Sequence, residues 1–179
     1  VEMENKIAYI ATHDELTGLP NRTFLKDKLE AYCQFEKGNK ASFALMMLDI
    51  DGFKYINDAL GYEMGDKLFI EITQRLKQSL DDKHFICRYS GDKFAIVVKG
   101  PGSTKEYESI AKAITALFSK TFRVDKYELD VTVSMGISIY HGDEQDADLL
   151  IKYADIALLW AKNEGRNRYK FYSQDINIQ

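Results

Sequence analysis

The chain has 179 residues, the size of one compact domain, and its 45 % apolar and 29 % charged residues are those of an ordinary globular chain, not a disordered or membrane-embedded one. Its 28 acidic residues outnumber 24 basic ones, and no long basic run occurs. A net charge of −4 with that pattern argues against nucleic acid or an anionic membrane surface as the main partner. No apolar run approaches a membrane span and no signal peptide opens the chain. The chain starts at Val1 and reads as a piece of a longer protein, whose parent could be membrane-anchored. Cys33 and Cys87 lie outside any C-x-x-C or Cys/His cluster. That spacing does not indicate a zinc site, and two free thiols beside a full-sized core suggest a reducing, cytoplasmic compartment.

Residues 1–12 place Met3, Ile7, Ile10 and Ala11 on one helical stripe. Two readings are open for it: a terminal helix resting on the core, or the end of a signalling helix or coiled coil from an upstream sensor. Gly18, Pro20 and Asn21 mark a loop over 13–22. Asn21 can cap a helix over 22–37, which Gly38 and Asn39 end. The unbroken apolar run Phe43-Ala44-Leu45-Met46-Met47-Leu48, within 42–51, predicts a central strand covered on both faces. Helices are expected over 53–60 and 64–80, with Gly61 and Gly65 between them. Strands at 85–89 and 94–99 flank Ser90-Gly91-Asp92-Lys93, a hairpin in which Gly91 is expected to take a positive φ. After the break at Pro101 and Gly102, a helix follows over 105–120, strand over most of 122–140 with an interruption near Asp125-Lys126, a helix over 147–163 ended by Gly165, and a short strand at 168–172. Hairpins mixed with crossover helices imply an α/β (α+β) fold, a mostly antiparallel sheet of about five strands flanked by helices.

Asp49 and Asp51 lie on one face at the end of the most buried strand, with Ile50 on the other. A carboxylate there suits Mg²⁺, a hard cation that wants charged oxygens, but it also suits a strand leaving the core. Asp92, if its hairpin pairs beside that strand, brings a second acid to the same point. Two acids gripping Mg²⁺ fit attack of a hydroxyl on an α-phosphate. Asn57 can pair with a base edge and Asp66 can accept from guanine donors, although both also read as helix-surface residues. Lys54 sits near a helix start where a phosphate would lie. Lys162 and Arg166 flank the end of the last long helix, where they either answer its C-terminus or clamp a triphosphate. His13, His84 and His141 are scattered and have no serine or cysteine partner of recognisable pattern, so nucleophilic catalysis has little support.

In order along the chain, these segments resemble the GGDEF (diguanylate cyclase) family. Residues 14–22 are similar to its D-x-L-T-G-L-x-N-R, and 49–58 to D-x-D-x-F-K-x-x-N-D. Residues 61–66 resemble G-H-x-x-G-D, and Arg88-Tyr89-Ser90-Gly91-Asp92-Lys93-Phe94 stands where R-x-G-G-D-E-F belongs. Residues 133–138 and 154–167 resemble the T-x-S-x-G strand and the A-D-x-A-L-Y-x-A-K…G-R-N ending. The resemblance implies a palm-like nucleotidyl-cyclase domain over 13–172, preceded by the 1–12 helix and followed by a 173–179 tail or linker. It implies condensation of two GTP to cyclic di-GMP by two domains face to face in a homodimer, with Mg²⁺ or Mn²⁺ as cofactor. Asp49, Asp92 and the Ile50 carbonyl would hold the metal. Phe53, Lys54, Asn57, Asp66, Lys162 and Arg166 would bind substrate. Residues 169–173 look like the join to a downstream EAL domain.

Three positions depart from the family pattern: Ser90 for the first glycine, Tyr62 for histidine, and Lys93 for the glutamate that serves the second metal and the 3′-hydroxyl. At the R-x-x-D window of the family's inhibitory site stand Asp81 and His84, so product inhibition there is not expected. Three readings follow. The first is a module that binds GTP and Mg²⁺ and regulates a neighbouring domain with weak or no cyclase activity. The others are an active diguanylate cyclase that tolerates Lys93, and a nucleotide-free protein-interaction module.

Overall fold

The computed structural model describes residues 2–35, 42–80, 82, 84–100, 103–142 and 146–173. The expected helix stop at Gly38 and Asn39, the break at Pro101 and Gly102, Asp81 and the 174–179 tail lie outside the described residues. In chain order the elements are α1 (Glu2–Thr12), α2 (Arg22–Phe35), β1 (Ser42–Ile50), α3 (Phe53–Leu60), α4 (Tyr62–Ser79), β2 (His84–Ser90) and β3 (Lys93–Gly100). They continue as α5 (Thr104–Leu117), β4 (Phe122–Val124), β5 (Tyr127–Leu129), β6 (Val133–Tyr140), α6 (Ala147–Asn163) and β7 (Tyr169–Phe171). Among the described residues no helix is long and apolar enough to cross a membrane.

The main sheet runs β2-β3-β1-β6-β7. β1 pairs antiparallel with both β3 and β6, and only β7 joins parallel, to β6. The five-stranded, mostly antiparallel sheet with flanking helices is the fold read from the sequence. β1 is central for a simple reason: alternate residues of its apolar run serve two cores. Ala44, Met46, Leu48 and Ile50 pack with Phe69 and Ile72 of α4 and Ala111 and Ile114 of α5. Phe43, Leu45 and Met47 pack with Leu25 and Leu29 of α2 and Leu150, Ala154 and Leu158 of α6.

Several expectations need adjusting. The stretch over 122–140 is interrupted at Asp125-Lys126 as expected, but its first two pieces form a separate two-stranded ribbon, β4–β5, apart from the sheet strand β6. Asp51 falls in the turn after β1 rather than in the strand. Gly91 does not adopt a positive φ; the hairpin instead shifts register between Arg88 and Ser90, an irregularity that turns the chain without a left-handed residue. Ser90 therefore meets no backbone penalty there. The stripe of α1 stays in solvent, with Met3, Ile7 and Ile10 at 74 %, 63 % and 56 % exposure, so this helix does not rest its apolar side on the core. Its last turn is what attaches: Asn21 donates its backbone N–H to Thr12 O at 2.8 Å and its side-chain amide to Ala11 O at 3.1 Å. The same Asn21 caps α2 as expected, its Oδ1 accepting from Phe24 N at 3.2 Å. Burial pushes the thiols of Cys33 and Cys87 up to about 11 and about 12, so both remain protonated and inert near neutrality.

Candidate functional site

The end of β1 and the β2–β3 turn meet. Asp49 pairs across the sheet with Lys93 on one side and Ser134 on the other. Ile50 donates its N–H to the Asp92 carbonyl at 3.3 Å. The turn therefore holds Asp92 beside the end of β1, near enough for its charge to act on Asp49. Asp49 is only 4 % exposed. Burial chiefly, and then Asp92, raise its pKa, while an ion pair with Lys162 of α6 pulls it down. Two acids pressed together in a poorly solvated mouth call for a cation, and their hard oxygens, with the Ile50 carbonyl nearby, suit a hard divalent ion. Among the described residues no three His, Cys, Asp or Glu side chains gather into a ready metal cluster, so the pair and a backbone oxygen are what the chain offers.

Asp51, the other acid at the end of this run, is committed elsewhere. It accepts from Thr132 Oγ1 and Ser134 Oγ, each at 2.6 Å, and from Asn167 N at 3.0 Å, with Arg166 at 3.7 Å. Arg166 and Asn167 both hold left-handed backbone, at φ 65° and 51°, which costs energy for residues with a Cβ. Asp51 fastens that strained turn and thereby sets where Arg166 projects. Gly52, at φ 73°, turns the chain into α3 and brings no side chain to cap it.

Of the expected substrate residues, Asn57 packs against α4 at Gly65, the residue before Asp66. Gly65 is buried against Asn57: a Cβ there would stand 1.7 Å from Asn57 Oδ1. Lys54 and Asp66 are exposed, and Tyr62 is 76 % exposed. Phe53 is different. Its ring is 7 % exposed and packs in the core 5.9 Å from Phe69, so it presents no side chain to a ligand.

Sequence reasoning left the opening loop without a role, and the structure supplies one. Asp14 accepts from Thr17 N at 2.9 Å, Thr17 Oγ1 at 2.7 Å and Arg88 Nη1 at 3.1 Å. Arg88 Nη2 donates to Gly91 O at 2.8 Å, and its guanidinium lies 4.3 Å from the Phe69 ring centroid. Arg88 thus ties the loop to the turn carrying Asp92, a positioning role. Burial raises the Asp14 pKa, but the Thr17 hydrogen bonds and Arg88 outweigh it and the carboxyl lies below its ordinary value. A depressed folded-state pKa stabilises the fold above the unfolded value and loses that contribution as pH falls through the folded one. Asp14→Asn should therefore flatten the loss of stability below about pH 4, and Arg88→Met should cost about 1.5–3 kcal/mol, both read from urea unfolding curves at stepped pH.

The sequence profile described as "Diguanylate cyclase, GGDEF domain" matches residues 11–168. This chain belongs to the GGDEF domain family. It is 34 % identical over 172 residues to the bifunctional diguanylate cyclase/cyclic di-GMP phosphodiesterase MucR of Pseudomonas aeruginosa, covering 96 % of this chain and 25 % of MucR. It is 35 % identical over 174 residues to the signaling protein YkoW of Bacillus subtilis, covering 97 % of this chain and 22 % of YkoW. The GGDEF domain thus spans about a quarter of the length of these curated relatives. Among solved structures it superposes on the GGDEF domain of TpbB (YfiN) from Pseudomonas aeruginosa with a TM-score of 0.87 at 28 % identity, over 93 % of this chain and 97 % of that one. The coiled coil and GGDEF domain of DgcB from Caulobacter crescentus, solved in complex with c-di-GMP, gives a TM-score of 0.82 at 26 % identity, over 95 % and 90 % of the two chains. The chain is accordingly a domain of cyclic di-GMP signalling.

Lys93 is where this GGDEF domain departs most from its family's signature. It shares a sheet face with Asp49 and lies near Asp155 of α6. Burial raises the Asp155 pKa, and Lys93, Arg22 and Lys162 oppose that rise. The lysine's backbone thus pairs with that of Asp49, and its charge is felt by Asp155. Of the residues at the family's inhibitory window, His84 opens β2, while Asp81 lies outside the described residues.

Proposed function

We propose that this GGDEF domain binds GTP with a divalent cation between β1 and the β2–β3 turn and acts on a neighbouring domain as a regulatory module, with cyclase turnover suppressed by Lys93. The carrying observation is the approach of Asp49 and Asp92, with Lys93 paired across the strands from Asp49. Asp49, Asp92 and the Ile50 carbonyl would hold Mg²⁺ or Mn²⁺. The ion would polarise the α-phosphate and neutralise the leaving pyrophosphate. Asn57 and Asp66 read the guanine edge. Lys162, released from Asp49 when a divalent ion replaces it there, turns to the phosphates with Arg166 and Lys54. Lys93 puts positive charge where the family places an acid, which favours retention of the triphosphate and disfavours activation of the 3′-hydroxyl. Turnover would in any case require a second GGDEF domain across the site, and the regulated partner would be an EAL domain downstream, under a sensor upstream.

Calorimetry with GTP and Mg²⁺, followed by chromatography of the mixture, tests this. Heat of binding with little or no cyclic di-GMP supports the regulatory reading. Abundant product would make the domain a working cyclase, a reading favoured by the nearness of Asp155, which draws Lys93 toward α6. No heat would leave a nucleotide-free interaction module. The guanine pair has its own check. In Gly65→Ala the new methyl would occupy the place of Asn57 Oδ1, 1.7 Å away, and must displace that amide. Stability should change by no more than about 1 kcal/mol, since helical alanine offsets part of the crowding. GTP affinity should fall about tenfold, the loss of one or two base-edge hydrogen bonds.

A further inference from the structure

The geometry points to a second binding site, between the end of α5 and the segment joining α6 to β7, for a small phosphomonoester with a flat apolar body. A cavity of about 720 Å³ opens there, within the size range of small-molecule sites, and neither Lys162 nor Arg166 lines it. Ala116 and Phe118 give it an apolar side. Three cations, Lys112, Arg168 and Lys170, face it against one acid, Glu164. That acid is shared, lying 2.7 Å from Lys170 and 3.7 Å from Arg168. The partner of Lys112, Glu108 at 3.6 Å, already accepts from the Tyr169 hydroxyl at 2.7 Å. The acids therefore under-compensate the cations, in a chain whose net charge is −4. Positive charge beside an apolar wall is the chemistry that holds a phosphate on a ring.

The cavity touches the turn that presents Arg166. Arg168 folds over Gly165 and donates from Nε to the Arg166 carbonyl at 3.0 Å. Thr132 and Asn167, which line the cavity, both donate to Asp51. An anion that draws the Arg168 guanidinium inward competes with that carbonyl and loosens the left-handed Arg166–Asn167 turn. Occupancy weakens the phosphate clamp, and GTP weakens occupancy by the same factor. This coupling rests on the nucleotide reading above; the binding of the phosphomonoester does not.

Phenyl phosphate titrated into ¹⁵N-labelled protein without Mg²⁺ tests the site, with inorganic phosphate and phenol as separate controls. The expected result is saturable amide shifts over 112–119 and 164–170, with an apparent Kd below about 1 mM, weaker for either control. Lys112→Gln/Lys170→Gln, which leaves Arg168 on its carbonyl, should weaken binding at least about tenfold with an unchanged circular dichroism spectrum. Shifts that grow linearly without saturation, that survive in this variant, or that fall only around Asp49, Asp92 and Lys162 would overturn the site. Calorimetry of GTP with and without phenyl phosphate then reads the coupling. A GTP affinity lowered about fivefold supports it, and an unchanged affinity refutes it. Absence of any GTP binding would sink the nucleotide reading and its coupling, while saturable shifts at the cavity would still establish the second site.

Discussion

Lys93→Glu is expected to raise the rate of cyclic di-GMP formation by up to about a thousandfold. A carboxylate about 4 Å from one unit of positive charge contributes roughly 4 kcal/mol at an effective dielectric near 20, and each 1.36 kcal/mol is a factor of about ten in rate. Lysine at that point reverses the sign. The same substitution should make the fold more dependent on metal. Asp49 and Asp155 already have raised pKa values, each chiefly through burial. A new acid beside them also removes a nearby cation that is not committed to Asp49. Melting temperature in chelator should therefore fall for Lys93→Glu and recover with Mg²⁺ more than in the unmodified protein. A variant that melts like the parent in both buffers and makes no product would show that position 93 is not what limits turnover.

Gly136→Ala is expected to cost about 3 kcal/mol or more, the upper range for overpacking. Gly136 lies on β6 directly beneath α6, and a Cβ there would stand 2.1 Å from Ala154 O and 2.2 Å from Leu158 N. Both obstacles are backbone, so no side chain can swing aside and the helix itself must lift. α6 also carries Lys162 to Asp49, so the packing defect reaches the site. Urea denaturation gives the stability loss; a loss under about 1 kcal/mol would mean that α6 does not sit so close to the sheet.

What the sequence disclosed and what it hid follow one division. The central strand was legible because burial on both faces leaves an unbroken apolar run, and its exit was legible because two acids follow that run. The hairpin was legible from Ser90-Gly91-Asp92-Lys93, although its backbone turns by a register shift and not by a positive φ at Gly91. Pairing of Asp14 with Arg88 was hidden, since 74 residues separate them. The hold of Thr132 and Ser134 on Asp51 spans 81 and 83 residues and has no local pattern at all. The left-handed Arg166–Asn167 turn was invisible for the same reason: its cause is Asp51, far away in sequence. Burial of the Phe53 ring was hidden too: the first turn of α3 points it into the core, which leaves its backbone rather than its ring to face a ligand.

The central claim is that Asp49 and Asp92 share one divalent ion with bound GTP. Its most direct test is the GTP affinity of Asp92→Asn, with Mg²⁺ and in chelator, beside the unmodified protein. The account predicts that Mg²⁺ tightens GTP binding at least about tenfold in the parent and hardly at all in Asp92→Asn, as removing one charged oxygen ligand requires. Equal Mg²⁺ enhancement in the two proteins would contradict it.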